Sequence, residues 1–264
     1  MFSPVIFLIS LFPLFYTPGG RVVEEVNLGA IFHQYEVEGC FVLLDNENNK
    51  LVEYIPERCR EGFIPKSTFK IPHALIALEE GVLRDEKQMI PWDGTRHPVE
   101  AWNQDQTLAS AIKYSCVWFF SQLTNQIDSL TYKNYLEKFH YGNEEVFGPP
   151  DHFWLNGKLR ISAEEQVEFL DRFYHHRLGI ADRSIDLVKK LIILEEDEDY
   201  TFYGKTGGGQ LNADNNIMWF VGFIEKKDHV RFFAMNFTCA EFNQETANAR
   251  MEITRSVLKK IGIL

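Results

Sequence analysis

The sequence predicts an α+β fold: a mostly antiparallel sheet formed from both chain ends, flanked by helices, with a helical lobe inserted between. Three observations predict it. Strand-like runs lie toward both ends of the 264-residue chain, helix-patterned runs fill the middle, and polar turns join neighbouring strands at each end.

The elements follow in order. Gly39–Asp45 (GCFVLLD) and Leu51–Ile55 (LVEYI) read as strands around the turn Asn46-Glu47-Asn48-Asn49. Thr68–Val82 reads as a helix, because Ile71, Ala74, Leu75 and Leu78 recur at helical spacing and Gly81 closes the run. Gln106–Leu123 is apolar on most sides and predicts a second, buried helix. Tyr141–Arg160 carries Gly142, Gly148, Pro149, Pro150 and Gly157 and reads as a long loop of the kind that usually serves function. Ser162 and Glu165 form a capping box that opens a helix running through Tyr174. The acidic run Glu195–Asp199 reads as a solvated loop. Thr201–Lys205, Ile217–Ile224 and Val230–Phe237 are strand-like, the last two around the turn Glu225-Lys226-Lys227-Asp228, and a final helix covers Thr246–Ile261.

Composition narrows the function. Hydrophobic residues make up 45% of the chain, enough for a sizeable core, and the net charge is −11. That balance argues against nucleic acid and anionic membrane surfaces as partners, both of which call for a basic face. An anionic ligand must therefore be drawn by a local cationic pocket. Met1–Gly20 has no charged side chain and is mostly apolar, though Pro4 and Pro13 interrupt it. It reads as a signal peptide, with one domain over residues 21–264 and a periplasmic or secreted location. Of the four cysteines, Cys40, Cys116 and Cys239 sit in apolar runs and read as buried thiols. Whether Cys40 and Cys59 pair stays open.

The chemistry begins with S-x-x-K, which sets a hydroxyl and an amine one helical turn apart so that the amine can take the hydroxyl proton. The motif occurs three times, as Ser67/Lys70, Ser110/Lys113 and Ser256/Lys259, so the spacing alone selects nothing. Context selects the first. Ser67 opens a helix, where free backbone N–H groups stabilise an oxyanion, and Lys70 lies between Phe69 and Ile71. Burial there lowers a lysine pKa and turns the amine into a base.

PKSTFKIPHALIALEEGVL resembles the active-site helix of the class D (oxacillinase-type) serine β-lactamases, members of the penicillin-recognising superfamily with a β-lactamase/transpeptidase-like fold. Further resemblances follow in the family's order: Ser115-Cys116-Val117 (S-x-V), Tyr141-Gly142-Asn143 (Y-G-N), Phe153-Trp154-Leu155 (F-W-L), Lys205-Thr206-Gly207 (K-T-G) and Arg250, where the family has an arginine opening the last helix. The resemblance implies hydrolysis of the β-lactam ring of penicillin-type antibiotics, with Ser67 as nucleophile. It implies Lys70 as general base, converted to a carbamate by carbon dioxide or bicarbonate, and Ser115 as proton shuttle. The N–H groups of Ser67 and Gly208 would form the oxyanion hole. Lys205, Thr206, Gly207 and Arg250 would hold the substrate carboxylate. Trp154 would donate to the carbamate, and Val117, Leu155 and Phe69 would keep the pocket apolar. No metal is implied, and no H-E-x-x-H zinc motif occurs.

Two features depart from the family pattern. Cys116 fills the middle of S-x-V, and Gly208-Gly209 replace the bulky aromatic that commonly follows K-T-G, which would either widen the cleft or loosen the strand edge and leaves the substrate range open. Two other readings compete. A β-lactam sensor domain is acylated without turnover, but typically has Asn where Val117 stands and belongs to a larger membrane protein. A cell-wall D,D-peptidase would usually show S-x-N and no F-W-L. The oligomeric state, a homodimer included, is left open.

Overall fold

In the computed structural model, residues 14–16, 20–148, 152–227 and 229–264 are described. Most of the predicted signal peptide lies outside them, although Leu14–Tyr16 (β1) pairs with Val22–Glu25 (β2). The remaining strands are Glu38–Asp45 (β3), Lys50–Tyr54 (β4), Met89–Ile90 (β5), Gln106–Thr107 (β6), Ile193–Glu196 (β7), Thr201–Gln210 (β8), Asn216–Lys226 (β9) and His229–Cys239 (β10). Among the described residues an eight-stranded sheet runs β1-β2-β4-β3-β10-β9-β8-β7, and β5 and β6 form a separate pair. Pairing is antiparallel except between β2 and β4. The N-terminal hairpin thus joins the C-terminal strands through β3 and β10, where Val42 faces Ala234.

The helices are Gly29–Gln34 (α1), Pro56–Arg60 (α2), Lys70–Glu79 (α3), Leu108–Lys113 (α4), Val117–Thr124 (α5), Ser129–Phe139 (α6), Phe153–Asn156 (α7), Ala163–Tyr174 (α8), Asp182–Leu191 (α9) and Gln244–Lys260 (α10). Strand alternation divides the core between two layers. On β3, Cys40, Val42 and Leu44 join the cluster that includes Leu75 of α3, Phe119 and Phe120 of α5 and Leu170 of α8. Phe41 and Leu43 face the other way, into the cluster with Phe32 of α1 and Ile253 and Val257 of α10. Because the central strands are covered on both faces, they read as nearly continuous apolar runs.

Four sequence expectations need correction. Gln106–Leu123 is not one helix: β6 and α4 end at Lys113, and α5 begins at Val117. The break is a Schellman-type cap, with Cys116 N donating to Ala111 O at 2.8 Å and Ser115 N to Ile112 O at 3.2 Å. Ser115 takes the left-handed position of that cap, φ 53°, which glycine usually fills. The helix expected over Thr68–Val82 divides into a 3₁₀ turn, Lys66–Phe69, and α3. The 141–160 segment carries the short helix α7. Glu195 and the exposed Glu196 belong to β7, with Glu195 paired to Arg255 of α10, and only residues 197–199 form the exposed loop that was expected. The capping box at Ser162 and Glu165 forms as expected, each backbone N–H bonded by the other's side chain. Cys40 and Cys59 are free, buried thiols, and burial followed by the neighbouring Cys40 pushes the Cys59 thiol well up.

The loop that carries α7 returns to the fold at Gly142, φ 58°, where an added Cβ would lie 1.9 Å from the Arg160 carbonyl oxygen. Asn143 Oδ1 accepts from Arg160 N at 2.9 Å, and its amide donates to Lys158 O at 2.9 Å. Gly142→Ala should therefore cost on the order of 2–4 kcal/mol, from the strained φ plus the clash with backbone. Thermal unfolding should show a clearly lowered Tm; a Tm equal to wild type would mean that the turn relaxes freely.

Candidate active site

The nucleophile candidate sits on a braced turn. Ile64 O accepts from the buried Trp219 indole at 3.0 Å, and Phe63 pairs with Ile161. Thr68 Oγ1 donates to Pro65 O at 2.8 Å and accepts from Gln166 Nε2 at 2.9 Å. These contacts place Ser67 at the start of the 3₁₀ turn, with Lys70 at the first position of α3.

Lys70 is fully buried. Its Nζ lies 2.7 Å from Ser67 Oγ, 3.3 Å from Ser115 Oγ and 5.5 Å from the Phe120 ring centroid. Burial lowers its pKa to about 7, so an appreciable fraction is neutral amine near neutral pH. The left-handed Ser115 between α4 and α5 also accepts from Lys205 Nζ at 3.0 Å. One hydroxyl thus connects two amines.

Lys205, Thr206, Gly207 and Gly208 lie on β8 past the point where β7 stops pairing with it. That stretch of strand faces the nucleophile turn: a Cβ on Gly207 would lie 3.2 Å from Ser67 N and 3.0 Å from Pro65 O. Arg250, on α10, donates from Nη1 to Gly207 O at 2.8 Å. Burial lowers its pKa to about 10. Lys205 is pushed well down by burial and then by the positive charges of Lys70 and Arg250. The buried Lys70 and Lys205 and the half-buried Arg250 thus set basic groups close together, a local field that an anionic ligand would relieve.

Trp154, on α7, is fully buried, and its indole Nε1 has no hydrogen-bond partner among the described residues. Its ring stacks on Phe69 at 5.9 Å and meets His73 edge-on at 5.0 Å. An unpartnered buried donor in this apolar surround suits an acceptor group absent from the bare side chains. Val117, half-buried at the start of α5, borders a groove with Trp102 and Trp118. Leu155 is half-buried, and its carbonyl accepts from Lys66 Nζ at 2.5 Å.

Side chains from other elements stand beside Gly208 and Gly209. A Cβ on Gly208 would meet Met218 Sδ at 3.1 Å and Arg250 Nη1 at 3.3 Å, and the Lys66 chain lies beside Gly209. His73 was not anticipated. It is fully buried at i+3 from Lys70, with Nε2 2.6 Å from the Tyr132 hydroxyl. Burial, then the Lys70 charge, lowers its pKa to about 3, so it is neutral. Its i+3 spacing from Lys70 was the available signal. Among the described residues, no cluster of three or more His, Cys, Asp or Glu could hold a metal ion.

A serine activated by a buried lysine beside a K-T-G strand defines an active-serine acyl-transfer centre. Consistent with it, the penicillin-binding protein transpeptidase domain family matches residues 39–259. The β-lactamase OXA-48 of Klebsiella pneumoniae is 37% identical over 91% of this chain and 90% of its own length. A class D β-lactamase from Sebaldella termitidis superposes with a TM-score of 0.88 at 36% identity, covering 92% of this chain and 98% of that one. The C-terminal domain of the Bacillus licheniformis BlaR penicillin receptor also reaches a TM-score of 0.88 at 36% identity, over 94% of this chain and all (100%) of that one. The chain belongs to the class D serine β-lactamases within the transpeptidase-domain family.

The two other S-x-x-K pairs have separate employment. Ser110 Oγ caps α4 with Thr107 and donates to Gln106 Oε1 at 2.7 Å, and Ser256 lies within α10. Treating a deacylation-impaired variant with benzylpenicillin should add one drug mass to the peptide carrying Ser67, and Ser67→Ala should fold normally and take up no label. Label on Ser110 or Ser256 would overturn the assignment.

Proposed function

We propose that this protein hydrolyses the amide of the β-lactam ring in penicillin-type antibiotics through an acyl-enzyme on Ser67. The observation that carries this reading is the fully buried Lys70 amine, 2.7 Å from Ser67 Oγ and lowered to about pKa 7. The Lys70 side chain takes the Ser67 proton as Oγ attacks the lactam carbonyl. The carbonyl electrons move to oxygen, where the N–H groups of Ser67 and Gly208 receive the negative charge. As the C–N bond breaks, Ser115 passes its hydroxyl proton to the lactam nitrogen and is reprotonated along its contacts with Lys70 and Lys205. Lys205, Thr206 and Arg250 hold the substrate carboxylate, which offsets the crowding of like charges. Water then attacks the ester, with the Lys70 side chain again accepting the proton, and Ser67 is released.

Carbon dioxide added to the neutral Lys70 amine would supply a carboxylate-type base. The free Trp154 N–H and the apolar walls of Phe69, Val117 and Leu155 fit such a group. The uncharged apolar start of the chain favours an exported enzyme acting in the periplasm or outside the cell.

The second reading is a sensor, acylated without turnover. It is favoured by the regulatory protein BlaR1 of Bacillus licheniformis, 36% identical to 92% of this chain, which spans 40% of that protein. Val117 argues for hydrolysis, since an apolar side chain stands where sensor domains typically carry Asn. Nitrocefin separates the two: steady turnover supports the hydrolase, and a single stoichiometric burst supports the sensor.

Three further outcomes are expected. Removing carbon dioxide at pH 6, below the Lys70 pKa, should abolish turnover, and bicarbonate should restore it. Trp154→Ala should slow deacylation more than acylation and raise the bicarbonate requirement. Undiminished turnover of wild type without bicarbonate would mean that Lys70 works as a plain amine. Arg250→Ala should raise KM about tenfold with little change in kcat, if its contact is equal in ground and transition states. An unchanged KM and kcat/KM would remove Arg250 from substrate binding.

A further inference from the structure

Lys66 precedes the nucleophile and has no role in the chemistry above, yet it is one of the more costly residues to place. Its backbone is left-handed, φ 53°, a conformation disfavoured for residues with a Cβ. It is 3% exposed. No carboxylate lies within ion-pairing distance of it among the described residues, and the nearby charge that acts on it is that of Arg160, also positive. Burial pushes its pKa down to about 8. A buried amine without a counter-ion is retained only where its donors are used.

The use is visible. Lys66 Nζ donates to Leu155 O at 2.5 Å, at the C-terminal end of α7, where helix carbonyls lack a partner within the helix. The side chain reaches that carbonyl past Gly209 on β8. A Cβ on Gly209 would lie 3.7 Å from Lys66 Cδ and Cε and 3.8 Å from Nζ. One side chain thus spans the nucleophile turn, the strand beyond K-T-G and the helix that carries Trp154. The far end of the α7 segment has its own ties at Asn143 and Arg160. At the near end the Lys66 bond links α7 directly to the residue next to Ser67.

We infer that Lys66 is a positioning residue that clamps the Trp154–Leu155 turn onto the nucleophile turn, and so keeps the Trp154 indole where deacylation needs it. The inference rests on the hydrolase reading for its kinetic consequence, but not for its structural one.

Lys66→Met keeps the packing stem and removes the donor, whereas Lys66→Arg keeps a donor. Hydrogen exchange followed by mass spectrometry should show residues 153–160 of Lys66→Met exchanging about tenfold faster, with the sheet peptides unchanged. With benzylpenicillin, acylation of Ser67 should stay within about threefold of wild type while deacylation falls about tenfold, and Lys66→Arg should restore most of it. Should Lys66→Met not fold, Lys66→Gln, which carries a shorter donor, should give intermediate exchange and deacylation. Wild-type exchange at 153–160 together with wild-type deacylation in the folded variant would overturn the clamp. So would an equal loss of both steps with faster exchange throughout the molecule. A wild-type protein that is acylated but never turns over would instead overturn the hydrolase reading, and the exchange comparison would still judge the clamp.

Discussion

The site depends on taking one ammonium group out of water. Moving a lysine from solvent into an apolar interior penalises its charged form, and the Lys70 pKa of about 7 records that penalty. Without it, a lysine near neutral pH is an acid and a hydrogen-bond donor, not a base. Much of the surrounding architecture maintains the dry setting. Phe69, Phe120 and Trp154 supply apolar walls, and His73 stays neutral against Tyr132 instead of adding a second charge. The Schellman break at Ser115 delivers a half-buried hydroxyl to Lys70, backed by the fully buried Cys116 and Phe119.

The same burial explains how a protein of net charge −11 can attract an anion. Lys70, Lys205 and Arg250 are concentrated in one place, where burial lowers each and the charges of Lys70 and Arg250 lower Lys205 further. A carboxylate placed among them would favour their charged forms. The charge that matters is therefore the field inside the cleft, not the average over the surface. Hydrolases and penicillin receptors share this scaffold, as the equal superposition on a class D enzyme and on the BlaR domain shows.

Much of this was legible in the sequence, for physical reasons. Apolar strand-like runs around polar turns and the Ser162–Glu165 box are local signals, and both elements formed as read. Ser67 and Lys70 stood out from two identical spacings because only they open an apolar helix. The break at Ser115 was hidden, since a run that is apolar on every side carries no phase, and its left-handed cap is a serine where glycine would have announced it. Glu195 was misread because a run of acids looks solvated until Arg255 arrives from α10, sixty residues on. Gly208 and Gly209 signalled space but not its occupants, which are Met218, Arg250 and Lys66, all brought there by the fold.

The central claim is that burial makes Lys70 a base, and its titration tests this directly. In carbon dioxide-free buffer, NMR of protein labelled with carbon-13 at the lysine Cε would follow each amine, with Lys70→Met identifying the Lys70 signal by its loss. The account predicts an inflection for that signal near pH 7. An inflection above pH 10, where an exposed lysine titrates, would contradict it.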